Sequence, residues 1–138
     1  MNPSPAIEAL IPHRPPMRWI DALTDCTETT AHATASFTAG HFAVVDGVVI
    51  ETALVECMAQ TVAAALGHRT RAGGNTGTAT NGMLAAVSNF KIRARPPLDK
   101  TLTIEVRELK RLGPMLLIAG TISCDGQLIA TGELSLYV

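Results

Sequence analysis

The sequence predicts an α+β fold in which a curved antiparallel sheet wraps around one long helix. Three observations carry this expectation. An apolar, alanine-rich stretch from about Ile50 to Leu66 is too long for an ordinary strand, two strand-like segments precede it, and four follow it.

The first feature in the chain is a proline-rich segment, Ile11-Pro12-His13-Arg14-Pro15-Pro16, followed by candidate strands over Met17 to Leu23 and Thr30 to Phe37. In the second, Ala31, Ala33, Ala35 and Phe37 alternate with His32, Thr34 and Ser36, the period of a half-buried strand. The helix, placed at about 50–66, is apolar on nearly every side: Ala53, Leu54, Val55, Cys57, Met58, Ala59, Val62, Ala63, Ala64 and Leu66 leave no broad polar face. Such a helix has to be covered all round. It is expected to stop at Gly67, and Arg69 to Gly82, rich in Gly, Thr and Asn, reads as a long connection. Leu84 to Ala94, Thr101 to Arg107, Met115 to Cys124 and the last segment, Leu128 to Val138, read as strands. Between them lie Pro96 to Lys100, Gly113-Pro114 and the hairpin signal Asp125-Gly126. These four can pair as a meander, with Leu128, Ala130, Leu134, Leu136 and Val138 on one face of the last. A strongly curved sheet closed over such a helix is the hotdog architecture, here one domain over residues 1–138, and its free edges favour a dimer.

Composition narrows the function classes. A chain of 138 residues holds one core and not two ordinary domains, and 47% hydrophobic against 17% charged residues excludes disorder. Five aromatics and a net charge of -1 speak against nucleic-acid binding. No basic segment followed by an apolar run opens the chain, so no signal peptide is expected, and no apolar stretch is long enough for a membrane span. Cys26, Cys57 and Cys124 show neither pairing rhythm nor metal-ligand spacing; they read as reduced, core-filling thiols of a cytoplasmic protein, with no metal or cofactor expected.

Against this background Glu56 stands out. Thr52, Glu56 and Gln60 recur every four residues on one face of the apolar helix, and a carboxylate there has to be paired, protonated or used. It either faces water and bonds Gln60 structurally, or it does chemistry. Glu51, at the helix start, suits the dipole there. Of the four histidines, His68 sits beside arginines past the helix, His32 on the polar side of its strand and His13 in the rigid proline turn, while His41 lies in the loop leading to the helix. A histidine and a glutamate sharing an apolar cleft make an acid/base pair.

Three segments resemble one family. Ile11-Pro12-His13-Arg14-Pro15-Pro16-Met17, Glu56-Cys57-Met58-Ala59-Gln60-Thr61, and Phe90-Lys91-Ile92-Arg93 continuing to Pro97-Leu98-Asp99-Lys100-Thr101-Leu102 are similar, in this order, to motifs of the hotdog dehydratases that act on 3-hydroxyacyl chains carried by acyl carrier protein. The likeness is greatest to a short divergent branch encoded in aryl polyene-type clusters, on Met58-Ala59-Gln60-Thr61-Val62 and Ala130-Thr131-Gly132-Glu133. The resemblance implies that Glu56 is catalytic, protonating the departing hydroxyl, and that His41 takes the C2 proton. The family's His-Phe-Pro-Gly motif opens fourteen residues before its acid, where this chain has Phe42, with His41 one residue earlier. Ala43-Val44-Val45-Asp46-Gly47 replaces the usual loop, and Glu51 stands where the family has glycine.

By the same resemblance Gly47, Glu51, Thr52, Gln60 and His13 bind substrate, and backbone N–H groups near Glu51 and Thr52 stabilise the enolate. The site is expected to lie across the interface of a homodimer, or of a heterodimer with a related hotdog subunit. The carrier protein is acidic, and the net charge conceals a basic second half: residues 1 to 85 hold 4 basic and 7 acidic side chains, the remainder 7 and 5. Arg69, Arg71, Arg93 and Arg95 are the candidate docking residues. A hotdog thioesterase using Glu56, or a non-catalytic subunit of an active dehydratase, are the alternative readings.

Overall fold

The computed structural model describes residues 6–73 and 82–138. A single turn of helix, α1 (Ile7–Leu10), leads to strands β1 (Ala22–Cys26) and β2 (Thr30–Ala35). A small hairpin of β3 (Val44–Val45) and β4 (Val48–Val49) precedes the long helix α2 (Glu51–Ala72). Four long strands follow: β5 (Met83–Ile92), β6 (Leu102–Leu112), β7 (Met115–Cys124) and β8 (Gln127–Tyr137). The main sheet is antiparallel throughout, in the order β1-β2-β6-β7-β8-β5.

That order corrects the expected four-strand meander. β6, β7 and β8 do follow one another through the turns at Gly113 and Asp125-Gly126, where φ is 56°, 49° and 80°. β5 instead pairs with β8, from Met83 opposite Tyr137 to Ile92 opposite Ala130, and forms the far edge. The reason lies in the link to β6. Residues 93–101 include Pro96-Pro97 and are too many for a tight hairpin, but they suffice to cross the roughly 14 Å beneath two intervening strands.

Three boundaries differ as well. Met17 to Asp21 is not strand, because a side chain of α2 takes the hydrogen bonds a ladder would have used; the ladder opens with Asp21 N–H donating to Thr34 O. The helix runs through Gly67 to Ala72. Gly67 is buried against the backbone of Leu10 in α1, where a Cβ would collide with Leu10 O, so glycine serves close approach and not termination. In β8, Ile129 is buried and Leu128 exposed, because the register slips opposite Ile122 and Ser123.

Helix α2 lies mainly over β6, β2 and β1, covering Ala31, Ala33, Ala35, Ile104 and Val106 with Leu54, Cys57, Met58 and Val62. It is not enclosed all round. Val55, Glu56, Ala59, Ala63 and Leu66 form a half-buried stripe, and apart from half-buried Phe90 every residue of β5 is exposed, including Met83, Leu84, Val87 and Ile92. One side of the domain therefore carries an open apolar surface and, in β5, a ten-residue edge strand whose outer side is unpaired among the described residues.

Replacing Gly67 by alanine is expected to destabilise the domain by about 1–3 kcal/mol, the ordinary cost of forcing atoms into a filled space, as read from its denaturation midpoint. An unchanged midpoint would show that α1 has room to move.

Candidate active site

The Thr52–Glu56–Gln60 stripe descends from solvent into the core. Glu51 and Thr52 are exposed, the Glu56 side chain is 34% exposed, and Gln60 is fully buried. A buried carboxamide must satisfy both ends, and Gln60 does. Its Oε1 accepts the N–H groups of Trp19 (2.8 Å) and Ile20 (3.3 Å), and its Nε2 donates to Met17 O (2.8 Å) and to Glu56 Oε1 (3.1 Å). The polar face of α2 is thus tied to the segment after the prolines.

The proline turn just before it delivers His13. Its Nε2 lies 3.5 Å from Glu56 Oε1, and its Nδ1 is buried with no hydrogen-bond partner among the described residues. Arg14 fixes the backbone beneath it, donating through Nη1 to Ile11 O (2.9 Å) and His13 O (2.8 Å) and through Nη2 to Glu8 O (2.9 Å). His13 and Glu56 form the polar end of a cavity of about 140 Å³, with Ala59 and Ala63 of α2 as its floor and Leu84 and Leu136 as apolar wall.

His41 is placed elsewhere and does not line that cavity. It sits in a tight turn, its N–H donating to Thr38 O and its carbonyl accepting from Val44 N–H. Its Nδ1 accepts the N–H of Ala43 (2.9 Å), and its ring meets Phe37 and Trp19 edge-on, with centroids 4.7 and 6.3 Å away. Burial pushes its pKa below the ordinary 6.5, against a smaller opposing pull from Asp21.

The remaining sequence-derived residues divide among other places. Gly47 (φ 76°) turns the β3–β4 hairpin, and beyond it Val48, Val49, Glu51, Leu54, Arg93 and Arg95 border a second cavity of about 260 Å³ at the start of α2. Arg69 and Arg71 lie in the last turn of α2, about 27 Å along the axis from Glu51 by helical rise, so the four arginines do not form one rim. Arg69 is committed to the β1–β2 turn, donating to Thr27 O through Nε and Nη2. His32 bonds Glu105 Oε2 across β2 and β6 (2.9 Å). Cys57 and Cys124 fill the core; Cys26 is half-buried, and burial raises the pKa of both the Cys57 and Cys26 thiols. Among the described residues no cluster of metal-ligating side chains occurs, and no helix is long and apolar enough to cross a membrane.

Sequence reasoning found Glu56 and, through the family resemblance, placed His13 in the substrate site, but it foresaw neither the direct His13–Glu56 contact across 43 positions nor the Arg14 clamp. The proline turn announces rigidity without saying what it holds.

A six-stranded antiparallel sheet curved over one long helix is the hotdog fold, and solved structures agree. The dehydratase heterocomplex ApeI:P from Xenorhabdus doucetiae is similar with a TM-score of 0.88 at 20% identity, over 98% of this chain and 91% of that one. The PaaI protein of the E. coli phenylacetic acid degradation operon follows with a TM-score of 0.68 at 12% identity, over 84% and 81%. A hypothetical thioesterase with coenzyme A from Streptococcus pneumoniae gives 0.66 at 13%, over 85% and 84%. Among curated protein sequences nothing matches. Within the hotdog proteins the chain belongs to the ApeP-like family, ApeP dehydratase, whose family model matches residues 5–138.

Gln60→Leu is expected to strand the buried N–H groups of Trp19 and Ile20 and the carbonyl of Met17, at roughly 1–3 kcal/mol for each group left unpaired, and to lower the denaturation midpoint accordingly. His41 gives a pH signature. Its folded-state pKa is depressed, so the unfolded chain binds the proton first. Its stabilising contribution is complete above pH 6.5 and is lost as the pH falls through the folded value. His41→Asn, whose Oδ1 can take over the bond from Ala43 N–H, should flatten that part of the pH profile of unfolding.

Proposed function

We propose that this chain dehydrates 3-hydroxyacyl thioesters presented by an acyl carrier protein, giving trans-2-enoyl thioesters, as one subunit of a hotdog pair. The observation that carries this reading is Glu56: a carboxyl group at the polar end of an apolar cavity, held by Gln60 and facing an imidazole, in a chain of a dehydratase family. Glu56, protonated, donates to the departing C3 hydroxyl while a base removes the C2 proton, and each assisted transfer is worth roughly 10²- to 10⁴-fold.

The start of α2 supports a place for the thioester. Its free N–H groups at Glu51 and Thr52 lie about 7 Å along the axis from Glu56 by helical rise, within the span of one short substrate head. Arg93 and Arg95 flank the neighbouring cavity and suit an acidic carrier, whereas Arg69 is already engaged. The unpaired apolar edge of β5 supports a second hotdog subunit, a related chain as in the heterocomplex of the Xenorhabdus protein or a second copy. Three unpaired thiols fit a cytoplasmic setting.

The test takes the protein purified from its own cells, in the assembly it forms there, with a 3-hydroxyacyl carrier protein as substrate. Enoyl product is expected, with kcat lowered roughly 10²- to 10⁴-fold in Glu56→Gln. Free thiol without enoyl product would make the protein a thioesterase, and equal turnover by the Glu56→Gln assembly would leave this chain a non-catalytic subunit.

A further inference from the structure

We propose that the imidazole working with Glu56 is His13 of the same chain, which accepts the C2 proton of the substrate. This rests on the dehydratase reading and assigns its base. Two imidazoles compete, and they differ in which nitrogen is free. His41 accepts the Ala43 N–H at Nδ1, so the neutral ring carries its proton on Nε2; the nitrogen left over is a donor, and the only lone pair is occupied by backbone. Its ring is also held edge-on by Phe37 and Trp19.

His13 is free in the way a base requires. No group among the described residues bonds its Nδ1, its Nε2 faces Glu56 Oε1 at 3.5 Å, and the two residues line the same cavity. The flanking charge does not compete for it: the guanidinium of Arg14 is turned to the carbonyls of Glu8, Ile11 and His13. Those three bonds and the Gln60 bonds to Met17, Trp19 and Ile20 hold the segment on both sides of the ring, so the pair is positioned before substrate arrives.

The chemistry closes on itself. The C2–H bond breaks and its proton goes to His13 Nε2, while the electron pair forms the C2–C3 double bond. The C3–O bond breaks, and its oxygen takes the Glu56 proton and leaves as water. Imidazolium and carboxylate then face each other across 3.5 Å, and return of one proton from Nε2 to Oε1 restores the starting pair without any exchange with solvent.

The test uses the same purified assembly with a 3-hydroxyacyl carrier protein and two variants, His13→Ala and His13→Gln. Glutamine keeps a hydrogen bond to Glu56 but is no base. Both are expected to lose roughly 10²- to 10⁴-fold in kcat with little change in KM, and added imidazole should restore part of the turnover of His13→Ala. Full turnover by His13→Gln would overturn the assignment, as would rescue of His41→Ala by imidazole in place of His13→Ala. An inactive wild-type assembly would instead strike the dehydratase reading itself. Thermal midpoints of both variants, expected close to wild type, separate loss of base from loss of fold.

Discussion

The carboxamide of Gln60 is wholly removed from solvent, and the bonds that satisfy it decide how the N-terminal segment meets the helix. Its oxygen gathers two N–H groups of the Trp19–Ile20 backbone, and its nitrogen reaches back to Met17 and across one turn to Glu56. An unpaired amide at this depth would cost more than most single contacts contribute, so the chain from 17 to 20 gives up a strand ladder to satisfy it. Everything polar in the candidate site hangs from that exchange: the proline turn brings His13 over the helix because the residues after it are anchored there.

Rigidity and openness are separated in this domain. The half that α2 covers, from β1 to β6, is densely packed, with alanines in β2 allowing the helix to lie close. The other half, β8 and β5, leaves the stripe from Val55 to Leu66 uncovered. Glu56 sits on the boundary, with its backbone fixed by the packed half and its carboxyl facing the open one. Gln60 in the core orients the carboxyl group, and the surface beside it is apolar. Positive charge is distributed with equal economy, since Arg14 and Arg69 hold backbone carbonyls while Arg93 and Arg95 stay available near the start of the helix.

Much of this is legible in the sequence wherever the signal is local. Period-two alternation at Ala31, Ala33 and Ala35 reports a face that is buried, and Asp125-Gly126 reports a turn whose φ angles only such residues adopt readily. Glu56 is legible because a carboxylate on an otherwise apolar helix has to be solvated, paired or used, and here it is half-exposed and bonded by Gln60. What fails is non-local. Gly67 reads as a stop because glycine usually is one, whereas its reason is the backbone of Leu10, 57 residues earlier in the chain. The position of β5 depends on how far a link can reach, which composition does not encode. The partner of Glu56 could not be read from spacing at all, since a loop histidine near the helix and one in a distant proline turn look alike until the turn is folded onto the helix.

The bare edge of β5 has a consequence for how much of the protein a cell can keep. A ten-residue strand that exposes Met83, Leu84, Val87 and Ile92, with one row of backbone groups unpaired among the described residues, makes a template that another extended chain can join. If another subunit completes that edge, the folded population follows mass action and grows with the concentration of the partner as well as with the stability of the chain. Balanced synthesis of the two subunits is then a condition of solubility, and a surplus of either one is drawn toward self-association through the same ladder that assembly would have closed.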